Sequence, residues 1–227
     1  LKHLLLFIVF IFLLLSGCFR SKVPSEGKVS AKVIEYKVEY LAEKAGGIPT
    51  NVLPGKMTLI FADHFAINRI DGFLGQFSLS YIANLKTKKV ISLLKIFDKK
   101  YYYTGQPGEI PSGIDPMNNI IMTRTGNKKE IAGITSDEIK IQTNDGKEYL
   151  MYSAYIEKIK NPNITTPYHE IDDVLLEFYT KLSMMEMRLS ASRLYTKEVE
   201  WNVFNIPEDY QRISKDAMEK TINELFR

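Results

Sequence analysis

The chain has 227 residues, with 30 Lys and Arg against 27 Asp and Glu, a formal charge of +3. A balance this close to neutral argues against a dedicated nucleic-acid or polyanion binder. There is a single cysteine among 45% hydrophobic residues, so no internal disulfide forms and stability must come from the core alone.

At the N-terminus Lys2 and His3 precede an unbroken apolar run, Leu4 to Leu15, followed by Ser16-Gly17-Cys18. A short basic start, a brief apolar segment and small residues describe an export signal, and the run is too short to span a bilayer. Leu15-Ser16-Gly17-Cys18 resembles the lipobox of bacterial lipoproteins. The resemblance implies a diacylglycerol on the Cys18 sulfur, cleavage before Cys18 and acylation of the new amine, and hence palmitate-type anchoring. On this reading residues 1–17 are a signal peptide and residues 18–32, rich in Ser, Lys, Pro and Gly, are a flexible tether. Without residues 1–17 the charge falls to 29 minus 27, or +2. Phe19 stands where an Asp favours inner-membrane retention in many such lipoproteins, and no acidic run follows it. The expected address is therefore the outer membrane, facing the periplasm.

From residue 33 to the C-terminus a single domain is expected. Ile34, Tyr36, Val38 and Tyr40 alternate with Glu35, Lys37 and Glu39, as in a strand with one buried face. Strands are predicted over 57–61, 65–70, 77–81, 89–97 and 100–104, and a Pro/Gly-rich loop over 105–116. Further strands are predicted over 120–125, 130–135 and 138–143, with Gly126-Asn127 as a turn. Asp145-Gly146 reads as a two-residue hairpin leading into 149–156. Runs over 174–180, 184–192 and 194–204 follow, although 175–189 also permits a helical period. Ser214 suits a helix N-cap, and Met218, Ile222, Leu225 and Phe226 form one apolar stripe. About ten short strands with tight turns predict a mainly β (α+β) domain, a strongly curved antiparallel sheet with a C-terminal helix.

Four segments resemble a group of uncharacterised envelope lipoproteins related to the LolA/LolB carriers: Arg124 to Ile134, the Asp145-Gly146 hairpin, Asp173 to Phe178, and Phe204 to Tyr210. The resemblance implies a half-barrel whose concave face is apolar and partly covered by helices. Many relatives carry a second cysteine or an aromatic just after the Gly133 position, where this chain has Ile134 and Thr135.

The expected function is binding of an apolar ligand, a lipid or acyl chain, on that concave face. Its lining residues are Tyr36, Val38, Tyr40, Phe77, Leu79, Tyr81, Met185 and Met187. If the face is open, Phe77→Ala leaves the fold intact and weakens ligand uptake, whereas Trp201→Ala, on a strand placed against the C-terminal helix, destabilises fully. The competing reading is a passive structural or partner-binding lipoprotein with a filled core. A hydrolase is the third: there is no Gly-x-Ser-x-Gly elbow, although triads assemble from distant residues. His169-Glu170-Ile171-Asp172-Asp173 is not a His-Glu-x-x-His motif and reads as a polar loop. Met184, Met185 and Met187 read as a flexible apolar lining rather than a Cu(I) site. Lys99 to Tyr103 mixes cations with aromatics as single-strand binders do, but the charge balance speaks against nucleic acid. No cofactor is expected, and the protein is expected to be a non-enzymatic monomer.

Overall fold

A computed structural model describes residues 26–45 and 47–225. The strands are β1 (Lys28–Tyr40), β2 (Lys44–Ala45), β3 (Ile48–Pro49), β4 (Lys56–Ala62), β5 (Phe65–Gly72), β6 (Phe77–Asn84), β7 (Lys89–Ile96), β8 (Lys99–Thr104), β9 (Ile121–Ile131), β10 (Ile134–Gln142), β11 (Glu148–Ala154), β12 (Val174–Leu182), β13 (Met185–Glu200) and β14 (Gln211–Arg212). The helix α1 (Lys215–Leu225) ends the described chain. Twelve strands make one open, curved sheet in the order β14-β8-β7-β6-β5-β4-β1-β13-β12-β11-β10-β9, and β2 and β3 pair separately. Neighbours are antiparallel except β14, which runs parallel to β8. The mainly β half-barrel with a C-terminal helix is thus observed, as a mixed sheet.

The sheet has two cores. The larger, on the concave face, takes Ile34, Tyr36 and Val38 from β1, Leu59 from β4, Leu79 and Tyr81 from β6, and Met187 and Leu189 from β13. The smaller, on the opposite face, takes Ala31, Phe65, Ile67, Ile82, Leu93 and Phe204. Strands β4 to β7 therefore bury both faces, where the sequence predicted one-sided strands. Alternate residues serve different cores, and few polar side chains are left to mark an outer face.

The C-terminal segment closes both cores. After β13 a short 3-10 turn, Trp201–Phe204, crosses the back of the sheet and sets Phe204 against Phe65 at a ring distance of 6.0 Å. Trp201 meets the same ring edge-on at 6.2 Å. The chain then rounds the sheet edge through β14, and α1 lands on the concave face with Met218 and Ile222 fully buried. Ser214 caps the helix by accepting from the Ala217 N–H at 3.2 Å. Trp201 thus lies on the face away from α1, contrary to the expected packing, and the alternation that resembled a strand through 204 becomes a turn. Phe226, the last of the apolar stripe, lies outside the described residues.

Three boundaries differ from expectation for local reasons. β1 begins at Lys28, with Ala31 already buried, so the domain reaches into the predicted tether. β9 runs straight through Gly126-Asn127: the ladder places Asp137 opposite Lys128 but Ile139 opposite Arg124, so residues 125–127 bulge against Glu138. The Glu138 carboxylate sets that bulge, accepting from Thr125 Oγ1 at 2.8 Å, Asn127 Nδ2 at 3.0 Å and the Tyr152 hydroxyl at 2.8 Å. The Asp145-Gly146 hairpin is closed by the Thr143–Lys147 pair, which leaves a three-residue loop with Gly146 at φ 79°, not the two-residue loop expected.

Candidate functional site

The eight residues expected to line a concave site do converge, all within or against the larger core. They do not line an open concavity. Segments 105–120 and 155–173 and α1 lie over them, contributing Ile164, Tyr168, Ile171, Met218 and Ile222. Of the three tyrosines Tyr81 fastens this cover, while Tyr36 reaches across the sheet to β12 and Tyr40 to the loop before β4. Tyr36 donates to the Leu175 carbonyl at 2.7 Å, Tyr81 to the Ser112 carbonyl at 2.8 Å and Tyr40 to the Pro54 carbonyl at 2.8 Å. Burial pushes the Tyr36 and Tyr81 phenols well above their usual range and Tyr40 up to about 12. Phe77, Leu79, Val38, Met185 and Met187 are buried among them. The cavities left measure about 30 Å³, beside Leu79, Tyr81 and Met187, and about 10 Å³, beside Phe77 and Met185. The first has room for about one water.

A roomier site opens where the sheet splits. The β11–β12 ladder holds only from Tyr152↔Glu177 to Ala154↔Val174. Beyond it, segment 113–115 takes the place of β11: Asp115 N donates to the Lys181 carbonyl at 2.9 Å and Ser183 N to the Gly113 carbonyl at 2.7 Å. The Tyr168 hydroxyl meets the Tyr179 carbonyl at 2.8 Å. Gly113 is required there on two counts. Its φ is +85°, and a Cβ would sit 3.0 Å from both Ile222 and Leu182.

Displacing β11 leaves a groove of about 320 Å³ between segment 115–120, the β10–β11 hairpin and the ends of β12 and β13. Its apolar wall is Leu41, Met117, Ile120 and Met187, with the tilted rings of Tyr149 and Tyr179, 4.5 Å apart, on one side. At its mouth Lys181 faces Asp115 at 3.6 Å, and Lys147 faces Glu186 at 3.3 Å and Asp145 at 3.7 Å. The Glu186 hydrogen bond raises the Lys147 pKa, and the Thr143 hydroxyl bonded to Asp145 lowers the pKa of that carboxyl. Met117 sits at φ 47°, a left-handed conformation that costs a non-glycine residue about 1–2 kcal/mol. It is held by its N–H to Asp115 Oδ1 at 2.8 Å and by Tyr168 OH on its sulfur at 3.3 Å.

The other sequence constellations disperse. His169 and Glu170 are exposed, and Asp173 pairs with Arg124 at 2.9 Å. His64 packs on Phe65 with its Nδ1 2.5 Å from Asp63. No cluster of three His, Cys, Asp or Glu side chains able to hold a metal occurs among the described residues. Met185 and Met187 enter the core while Met184 stays exposed at the turn. Tyr101 and Tyr103 face the larger core and Tyr102 the smaller, so the Lys99 to Tyr103 run presents no stacked aromatic platform. No helix among the described residues is long and apolar enough to cross a membrane. Cys18, the predicted lipidation site, lies outside the described residues.

Of the groove residues only Met187 was singled out from sequence, as part of the concave face. Only the length of the Gly/Pro-rich break over 105–116 and the hairpin at 144–147 flagged two of its walls. Compared with protein-family models and with curated proteins, the chain matches none.

Proposed function

We propose that this chain is a lipid-anchored, non-enzymatic binding protein of the bacterial envelope, held at the outer membrane through Cys18. We further propose that it takes the apolar part of an amphipathic ligand, such as an acyl chain with a polar head, in the groove where β11 parts from β12. One observation carries the choice of site: the concave face retains a cavity of about 30 Å³, whereas the groove offers about 320 Å³. Small-molecule sites start near 300 Å³ and combine apolar walls with a few placed polar groups, which is the composition found here. Met117, Ile120, Met187 and the tyrosine pair receive the apolar portion. Lys147 and Lys181 stand at the mouth, where a carboxylate or phosphate head competes with Glu186 and Asp115 for them.

A fluorescent fatty-acid probe tests this reading. Tyr179→Ala removes half of the aromatic wall and weakens binding by about threefold to tenfold, the equivalent of one aromatic pair. A wild-type protein that binds no probe overturns it. The second reading, a scaffold that engages protein partners, is favoured by the filled concave face and then stands alone.

A further inference from the structure

Of the eight large apolar side chains exposed among the described residues, six gather at one end of the sheet, the exceptions being Leu150 within β11 and Tyr155 at the other end. Antiparallel register puts Tyr40, Lys56, Gly72, Phe77, Ile96, Lys99 and the 183–184 turn at one end of the sheet, and Lys28 at the other. Leu41, Val52, Leu74, Phe97, Ile121 and Met184 all stand at or beside the first end. Two of them project furthest. Leu74 in the β5–β6 connection is fully exposed, and Phe97 in the β7–β8 turn is 65% exposed. The two turns are stapled together: Phe97 N donates to the Gln76 carbonyl at 2.6 Å, and Lys95 Nζ to the Gly75 carbonyl at 2.7 Å.

Both residues hold left-handed backbone, Leu74 at φ 54° and Phe97 at φ 53°. Glycine or asparagine meets that geometry with less strain. A bulky, exposed apolar residue therefore stands at each of two adjacent tips against local preference. We propose that the paired Leu74 and Phe97 turns are a second membrane contact, inserting into the interface of a phospholipid bilayer. The proposal rests on the lipid anchor at Cys18 proposed above.

A bilayer fits the tips better than a protein partner does. Leu74 is followed by Gly75 and Gln76 and Phe97 by Asp98 and Lys99, while Ile96 turns inward against the larger core, so at the Phe97 turn the projecting apolar surface is a single side chain. A stable protein interface buries about 800 Å² per partner around an apolar centre. A bilayer accepts isolated apolar side chains, each contributing through its own buried carbons, while the exposed Lys99 beside Phe97 extends to the headgroups. The acylated Cys18 proposed above carries more than one chain and holds the protein at the bilayer, and a second contact at a different point fixes its orientation.

Chain reach makes the orientation specific. The nine residue steps from Cys18 to Gly27 span at most about 30 Å, while the thirteen residues of β1 extend over about 40 Å. The Lys28 end cannot stand a full strand length above the bilayer that holds the lipid. With the tips inserted, the sheet leans, and both contacts meet the same surface.

The test uses the full-length acylated protein reconstituted in vesicles of phosphatidylethanolamine and phosphatidylglycerol that carry a shallow brominated lipid. Leu74→Trp, Phe97→Trp and Tyr155→Trp are compared over the constant background of Trp201. Tyr155 is 75% exposed and follows β11 at the opposite end of the sheet, so it is the built-in control. The added emission at 74 and at 97 is expected to be quenched at least about twofold more than that at 155. Equal, weak quenching at all three positions in protein that floats with the vesicles leaves the tips facing solvent or a protein, and overturns the proposal. Protein that fails to float overturns the anchor, and the two-point contact with it.

Discussion

The two halves of the sheet solve the same problem in opposite ways. On the β4–β7 half the back of the sheet is apolar and is covered by Trp201 and Phe204, which lie across Phe65 and Ile67. On the β9–β12 half the back carries Glu138, Tyr152 and Glu177, all buried, with Lys129 placed 3.1 Å from Glu177 and over the Tyr152 ring. Among the described residues no segment covers them; their own hydrogen bonds satisfy them. The first half is stabilised by burial, which is insensitive to pH, and the second by charge-assisted hydrogen bonds, which are not. The difference separates the mutations that unfold the chain from those that alter one half of it.

The largest effects are expected in the apolar half and in the closed core. Phe204→Ala and Phe77→Ala each remove a buried aromatic and should destabilise by about 3–5 kcal/mol, read by denaturant unfolding. For Phe77 this reverses the tolerance expected of an open concavity, because the side chain is buried under a cover rather than facing a ligand. A Phe77→Ala protein with wild-type stability contradicts the closed core.

Next comes the split. Gly113→Ala forces a Cβ into φ +85° and against Leu182 and Ile222, and should cost about 1–3 kcal/mol while loosening α1. Faster hydrogen exchange across α1 than across β6 is the expected signature.

A smaller, pH-dependent effect belongs to the polar half. Hydrogen bonds from Asn127, Thr125 and Tyr152 hold the Glu138 pKa below its ordinary 4.5. A depressed carboxyl contributes stability that is complete above its unfolded pKa and is lost as pH falls through the folded value. Exchange in β9 and β10 should therefore rise below about pH 4.5 before exchange in β5 and β6 does. Glu138→Gln should abolish that order; if the order persists in the variant, the bulge is held by something else. The smallest effect is expected at the tips, where Leu74→Asn relieves left-handed strain and should raise stability by less than about 1 kcal/mol.

Much of the fold was legible in the sequence because its signals are local. Alternation marked β1 and β6, and the Ser214 cap with Met218 and Ile222 marked α1, since caps and periodicity report on neighbours in the chain. Gly126-Asn127 misled because turn residues also serve bulges, and the deciding group is Glu138 on the next strand. Trp201 and Val203 kept a strand-like alternation in a segment that must instead turn to cross the back of the sheet. The eight residues assigned to the concave face do come together, but alternation cannot say whether a face is open, because its cover comes from residues 105–120, 155–173 and 215–225. The groove was the least legible feature. Its walls are drawn from Leu41, Asp115, Tyr149, Tyr179 and Glu186, and it exists only because the β11–β12 pairing stops at Tyr152, a long-range event with no local mark.

Binding at the groove rather than on the concave face is best tested by residue-level NMR titration of the domain with a fluorescent fatty acid. The predicted shifts gather on Met117, Ile120, Tyr149 and Tyr179 and leave Leu79, Tyr81 and Met57 in place. Shifts centred on Leu79 and Tyr81, with the groove unmoved, would show that the cover lifts and that the concave face is the site.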